Sequence, residues 1–181
     1  QRIVSSDISS RISTVLYMGM GRQAKKENFK SSDIGLIIWK LTDLGSDPIA
    51  QYIPKDLILP DLAEVVITMM GQMFTTVLGQ GEYYHEGLFG PLPVPVPNSD
   101  LRCLLSSKTL KDSSQQDHRI RSNNYTLVGL ILSRYNEIDI TALEEILDSW
   151  WSSIHDLADF SIKNFDFLKS TILSKPLKLI I

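Results

Sequence analysis

The chain has 181 residues, 43% hydrophobic and 22% charged, long enough for one domain with a sizeable core and short for two. A formal net charge of −3 supplies no general attraction for nucleic acid, and the ordinary apolar and charged fractions exclude a wholly disordered chain. The single cysteine, Cys103, excludes an internal disulfide and suits a reducing, cytoplasmic compartment.

The charge is uneven along the chain. Residues 1–30 carry six basic side chains (Arg2, Arg11, Arg22, Lys25, Lys26, Lys30) against Asp7 and Glu27, a net of +4, and the remainder carries −7. No apolar run approaches the ~18–20 residues that span a bilayer, so the membrane contact to expect is peripheral, through this basic segment on an anionic surface or an acidic partner. The chain starts with Gln and shows no signal-peptide apolar region, which points to a trimmed N-terminus.

Residues 7–18 place Ile8, Ile12, Val15 and Leu16 at helical spacing, with Ser6 or Asp7 able to cap. A basic connector follows. "IGLIIW" (34–39) is a β-branched run with no helical stripe and predicts a strand buried on both faces. "TDLGSDP" supplies turn residues and "IAQYI" (49–53) alternates, predicting a hairpin with a longish loop. The clearest helix is 61–78, with Asp61 and Glu64 at capping-box spacing and Gly79 and Gly81 as a stop. Its predicted buried face is Leu62, Val65, Val66, Met69, Met70, Met73 and Val77.

Three further strands are predicted at 82–89, 100–110 and 124–135, the last too apolar for an exposed edge, with a polar loop before it. "NYT" at Asn124 is formally a glycosylation sequon, but it falls inside that strand. Thr141 and Glu144 have capping-box spacing before a helix whose apolar face is Leu143, Leu147, Trp150, Trp151, Ile154 and Leu157. A second helical stretch at 161–173 ends before Lys175–Pro176. The fold class to expect is therefore α/β in the α+β sense: one antiparallel five-stranded sheet flanked by helices around a common core.

Pro91, Pro93, Pro95 and Pro97 are two apart throughout, so they cannot form the PxxP ridge that needs prolines three apart. Leu92, Val94 and Val96 alternate with them as on an extended segment whose apolar side chains face one way. Lacking N–H donors, that segment belongs along or off a sheet edge.

Residues that invite a catalytic or ligand reading do not assemble into one. Gly19-x-Gly21 lacks the third glycine of the dinucleotide fingerprint and the Gly-Lys-Ser/Thr of a phosphate loop. His85, His118 and His155 lack metal-ligand spacing, so no metal and no cofactor is expected. Glu144 and Asp148, one turn apart, read as an acidic helix exterior, and Cys103 as a buried, inert thiol. No catalytic residue is expected.

"IGLIIWKLTDLGSDPIAQYIP", the capped helix at 61–78, the strands ending in "YTLVGLIL" and the helix at 141–158 together resemble the longin and roadblock-type domains over residues 34–160. Residues 7–18 match the extra first helix of roadblock domains, whereas the second C-terminal helical stretch looks more like longin. The resulting organisation is an N-terminal helix and connector (1–33), a longin/roadblock-like domain (34–160) and a C-terminal helical extension (161–181). The resemblance implies a non-enzymatic, dimerising platform or regulatory subunit for a small GTPase or a membrane-traffic complex, partnered by a GTPase, a second subunit of this type or itself. Leu88, Phe89, Leu92 and Val94 are the expected contact surface. The alternative is a small-molecule-sensing domain with a pocket between sheet and helix lined by Met69, Met73 and Trp150.

Overall fold

The structure, a computed structural model, describes residues 25–27, 30–79, 84–133, 135 and 138–180. The predicted helix at 7–18, the Gly19–Gly21 connector and Gly81 lie outside them. In chain order the elements are β1 (Lys25–Glu27), β2 (Ile34–Thr42), β3 (Gly45–Tyr52), α1 (Pro60–Leu78), β4 (Gly87–Pro93), β5 (Arg102–Leu110), a short α2 (His118–Ser122), β6 (Asn124–Leu132), α3 (Ile140–Ser152), α4 (Ile162–Ser174) and β7 (Lys178–Ile180). β1 and β7 pair as a separate antiparallel ribbon. The other five strands form one antiparallel sheet in the order β3-β2-β6-β5-β4.

The most apolar runs take the middle of that sheet. All nine residues of β6 and the first six of β2 are buried, because helices cover both faces and leave no solvent side for the usual alternation. Strand pleating sorts the side chains into two cores. Ile34, Leu36 and Ile38 of β2, Leu104 of β5, and Val128, Leu130 and Leu132 of β6 point to the face under α3 and α4. Ile37, Trp39, Cys103, Leu105, Leu127 and Ile131 point to the face under α1.

Proline-bearing strands sit at the edges, where a missing donor costs no ladder bond. β4 is one edge, and its pairing with β5 is irregular between Phe89 and Leu92, at Gly90 and Pro91. Leu92, Val94 and Val96 all turn toward the α1-side core, so the proline run is an edge strand and the connector that continues it, as its alternation predicts. β3 is the other edge. It opens earlier than predicted: Thr42 pairs with Gly45 across a two-residue turn, and Gly45 takes φ +120°. Pro48 is accommodated at a register shift opposite Trp39.

Two helix starts differ from the predicted capping boxes. Pro60 is the first residue of α1 and Leu59 its cap position, with no capping side chain; proline at this position loses no intrahelical bond. Asp61 acts instead through its charge in the first turn. At α3 the cap is Asp139, whose carboxylate accepts from Ala142 N at 3.2 Å. α3 also stops at Ser152, and Ile154 and Leu157 reach the core from the following turn. α4 has the box its neighbours lack, with Ser161 N donating to Asn164 Oδ1 at 2.9 Å, and it adds Phe165, Leu168 and Ile172 to the α3-side core.

One described helix, α1, is long and apolar enough to cross a membrane by length and composition, contrary to the expectation that no run approaches this. Its inner side packs on the sheet through Val66, Ile67, Met70, Phe74 and Leu78. Trp39 fixes how closely. Its Nε1–H donates to the Ile67 carbonyl at 3.1 Å, and its ring meets Phe74 edge-on. A Cβ added at Gly71 of α1 would come within 2.7 Å of the indole, and one at Gly129 of β6 within 2.6 Å. The two glycines thus make the slot that the ring fills.

Candidate interaction surface

α1 is amphipathic in an unusual way: three rows of side chains run along it, and two of them are apolar. The inner row is buried as described. A polar row, Asp61, Glu64, Thr68, Gln72 and Thr75, runs toward the β2–β3 turn, where Ser46 and Thr75 share a hydrogen bond and Gln72 abuts Gly45. The third row is Leu62, Val65, Met69, Met73 and Val77, all large, apolar and between 39% and 58% exposed. Asp61 and Glu64 are the only charged residues on the helix, and it has no Lys or Arg. A half-exposed helix ordinarily turns a charged face to water, so five open apolar side chains at helical spacing form a patch of the kind that marks an interaction site.

Sequence reasoning placed these residues on the buried face. Both Val65 and Val66, and both Met69 and Met70, fit an apolar stripe, and periodicity alone does not choose between them. The signal that was available is the absence of any Lys or Arg in residues 60–78.

The predicted contact residues behave otherwise. Val94 is buried in the α1-side core, and Phe89 and Leu92 are half-buried against it. Leu88 faces the opposite core. Alternation along an edge strand sends them to both faces of the sheet, so they are not one surface, although Phe89 and Leu92 share a face with the α1 row. The predicted pocket does not form either. Met69 and Met73 are exposed on α1, whereas Trp150 projects from α3 into the core of the opposite face, with its Nε1–H donating to Asn164 O at 3.0 Å. The sheet lies between them.

A cleft of about 460 Å³ does open elsewhere, between β4, β5 and α3. Glu86, Lys108, Glu144 and Asp148 line it around Leu147 and Trp151. Part of this lining is structural: Trp151 Nε1–H donates to Ser106 Oγ at 2.8 Å, and Glu86 Oε1 accepts from Thr109 N at 2.7 Å. Among the described residues no group of three or more His, Cys, Asp or Glu is placed to hold a metal ion. Burial pushes the Cys103 thiol well above its ordinary value, against a smaller opposing effect of the Leu130 backbone, so the thiol stays protonated.

The remaining polar network braces the far end of the sheet. Burial acts to raise the Asp112 carboxyl, but hydrogen bonds from Ser114, Lys40 and Gln115 outweigh it and hold the group below its ordinary value. Lys40 Nζ lies 3.0 Å away, and Asn124 Nδ2 donates to both Asp112 and Leu41 O. Asn124 is fully buried and committed to these bonds, so its sequon is closed to a glycan in the folded chain. Asp156 is also held low, by the N–H groups of Ser113 and Ala158 and by Lys111 at 3.0 Å.

Compared with protein-family models, with curated proteins and with solved structures, the chain has no match.

Proposed function

We propose that this chain is a non-catalytic protein-interaction module, acting as a dimerising platform or regulatory subunit for a small GTPase or a membrane-traffic complex. The observation that carries the reading is the open apolar row on α1, on a helix without a single basic residue. An anionic membrane rewards Lys and Arg beside an apolar face, so this row suits a protein better than a lipid surface. A longin/roadblock-like plan is part of the proposal. It is supported by the succession of hairpin, crossing helix, three-strand meander and closing helices, with hairpin and meander meeting where β2 pairs with β6. The sensing alternative would move to the cleft beside α3, whose open, carboxylate-rich lining lacks the enclosed apolar walls of a typical small-molecule site.

The test is photo-crosslinking from a benzophenone side chain at position 65, in cells of the source organism. Discrete adducts containing a small GTPase, a longin- or roadblock-type subunit, or a second copy are expected. No adduct beyond those from a control at position 145, on the outside of α3, would overturn the reading.

A further inference from the structure

The cleft of about 460 Å³ between β4, β5 and α3 has a volume within the range of small-ligand sites. One wall is α3, where Glu144, Leu147, Asp148 and Trp151 share a side at i, i+3, i+4 and i+7 spacing. The floor is β4 and β5, where Leu88, Ser106 and Lys108 face the same way.

Charges of both signs stand in this cleft without partners. Lys40, Lys111, Arg119 and Lys169 each lie within 3.1 Å of an aspartate. Lys108, Glu144 and Asp148, by contrast, form no ion pair among the described residues. Glu86, just before the Gly87–Ser107 pair, is held instead by Thr109 N at 2.7 Å. Ser106 is 5% exposed and accepts from Trp151 Nε1–H, and its own hydroxyl proton has no acceptor among the described residues.

We propose that this cleft binds a free amino acid with a basic side chain, on the opposite face of the sheet from the α1 row and independently of the interaction-module reading. The ligand's carboxylate accepts from Lys108 Nζ and the Ser106 hydroxyl, and its two ammonium groups meet Asp148 and Glu144. Spacing selects the length. Side chains four residues apart on a helix have Cβ atoms about 5–6 Å apart, and a chain of four methylene groups spans about 6 Å at bond lengths near 1.5 Å. Leu88 and Leu147 line the cleft beside that chain. With the three carboxylates of Glu86, Glu144 and Asp148 to one lysine in the lining, a ligand with two ammonium groups and one carboxylate is complementary in sign, and an acidic amino acid is repelled. An open, charged lining suits such a hydrophilic molecule better than an apolar one. Charges this close to water act weakly, so the dissociation constant is on the order of millimolar.

Nuclear magnetic resonance titration of the isotope-labelled full chain tests this with L-lysine and two analogues that each lack one group. Cadaverine lacks the carboxylate, and L-norleucine lacks the side-chain ammonium. L-lysine is expected to shift the amides of residues 106–108 and 144–148 saturably, with each analogue about tenfold weaker. Lys108→Met should bring L-lysine to the level of cadaverine while leaving cadaverine no weaker, and Glu144→Gln should bring it to that of L-norleucine. Both side chains are at least partly exposed, and the dispersion of the same spectra reports whether the variants are folded. Either analogue binding as tightly as L-lysine would overturn the basic amino acid as the ligand. No saturable shift at about fifty-fold above the millimolar range, or shifts indifferent to both substitutions, would overturn the site. None of these results touches the adducts expected from position 65, which test the interaction reading separately.

Discussion

On one face of the sheet α3 and α4 bury Leu143, Leu147, Trp150, Trp151, Phe165 and Leu168, whereas among the described residues the other face is covered by α1 and a proline-bearing connector. Both faces draw on the same strands, and pleating gives each a similar supply of apolar side chains. The difference lies in what covers them. α3 turns Glu144, Glu145 and Asp148 to solvent and finishes its side of the molecule. α1 turns Val65, Met69 and Met73 outward, and among the described residues nothing closes over them. A fold can thus be complete in its core and still carry, on one helix, the surface for a partner.

Four variants sharpen or break this comparison, in order of expected effect on stability. Trp39→Ala empties the slot between Gly71 and Gly129 and removes the bond to the Ile67 carbonyl. It is expected to cost about 3–5 kcal/mol, and hydrogen exchange should show α1 amides losing protection before those of α3. Equal loss in both helices would mean that the two faces are not separable.

Asp112→Ala removes the anion that Lys40, Ser114 and Asn124 share. Lys40 keeps partial access to water, so the cost is about 2 kcal/mol in chemical denaturation rather than the ~3–5 of a fully buried pair. The same carboxylate sets a pH dependence. Its folded value lies below the unfolded value of about 3.9, so its contribution is present above pH ~4 and is lost as pH falls through the folded value. Asp156 acts in the same direction. Acid unfolding of the wild type should therefore begin below about pH 4, and Asp112→Ala should flatten that limb.

Asp139→Ala takes the cap from α3 and is expected to cost about 1 kcal/mol, read as a shift in denaturation midpoint. Val65→Glu is expected to change stability by no more than about 0.5 kcal/mol, because the side chain is open to solvent. A large loss of stability there would show that the outer row of α1 belongs to the monomer's own core.

How much of this was legible in the sequence follows the same division. β2 and β6 are continuous apolar runs, and such runs announce central strands. The α3 face was readable because its apolar and acidic residues separate cleanly around the helix. The inner and outer rows of α1 were not, since adjacent pairs such as Val65–Val66 and Met69–Met70 supply both. Gly71 was the unread clue: a glycine in mid-helix costs about 1 kcal/mol, and here it admits Trp39, a residue 32 positions earlier in the chain. Leu88, Phe89, Leu92 and Val94 misled for a simpler reason. They are neighbours in sequence, and an edge strand divides neighbours between two cores.

The most direct measurement is the solution mass by multi-angle light scattering across a concentration series, for the wild type and for Val65→Glu. The account predicts a rise toward twice the 20.4 kDa chain mass with increasing concentration for the wild type, and a monomer throughout for Val65→Glu. Dimerisation unchanged in Val65→Glu would contradict the account, placing self-association somewhere other than the outer face of α1.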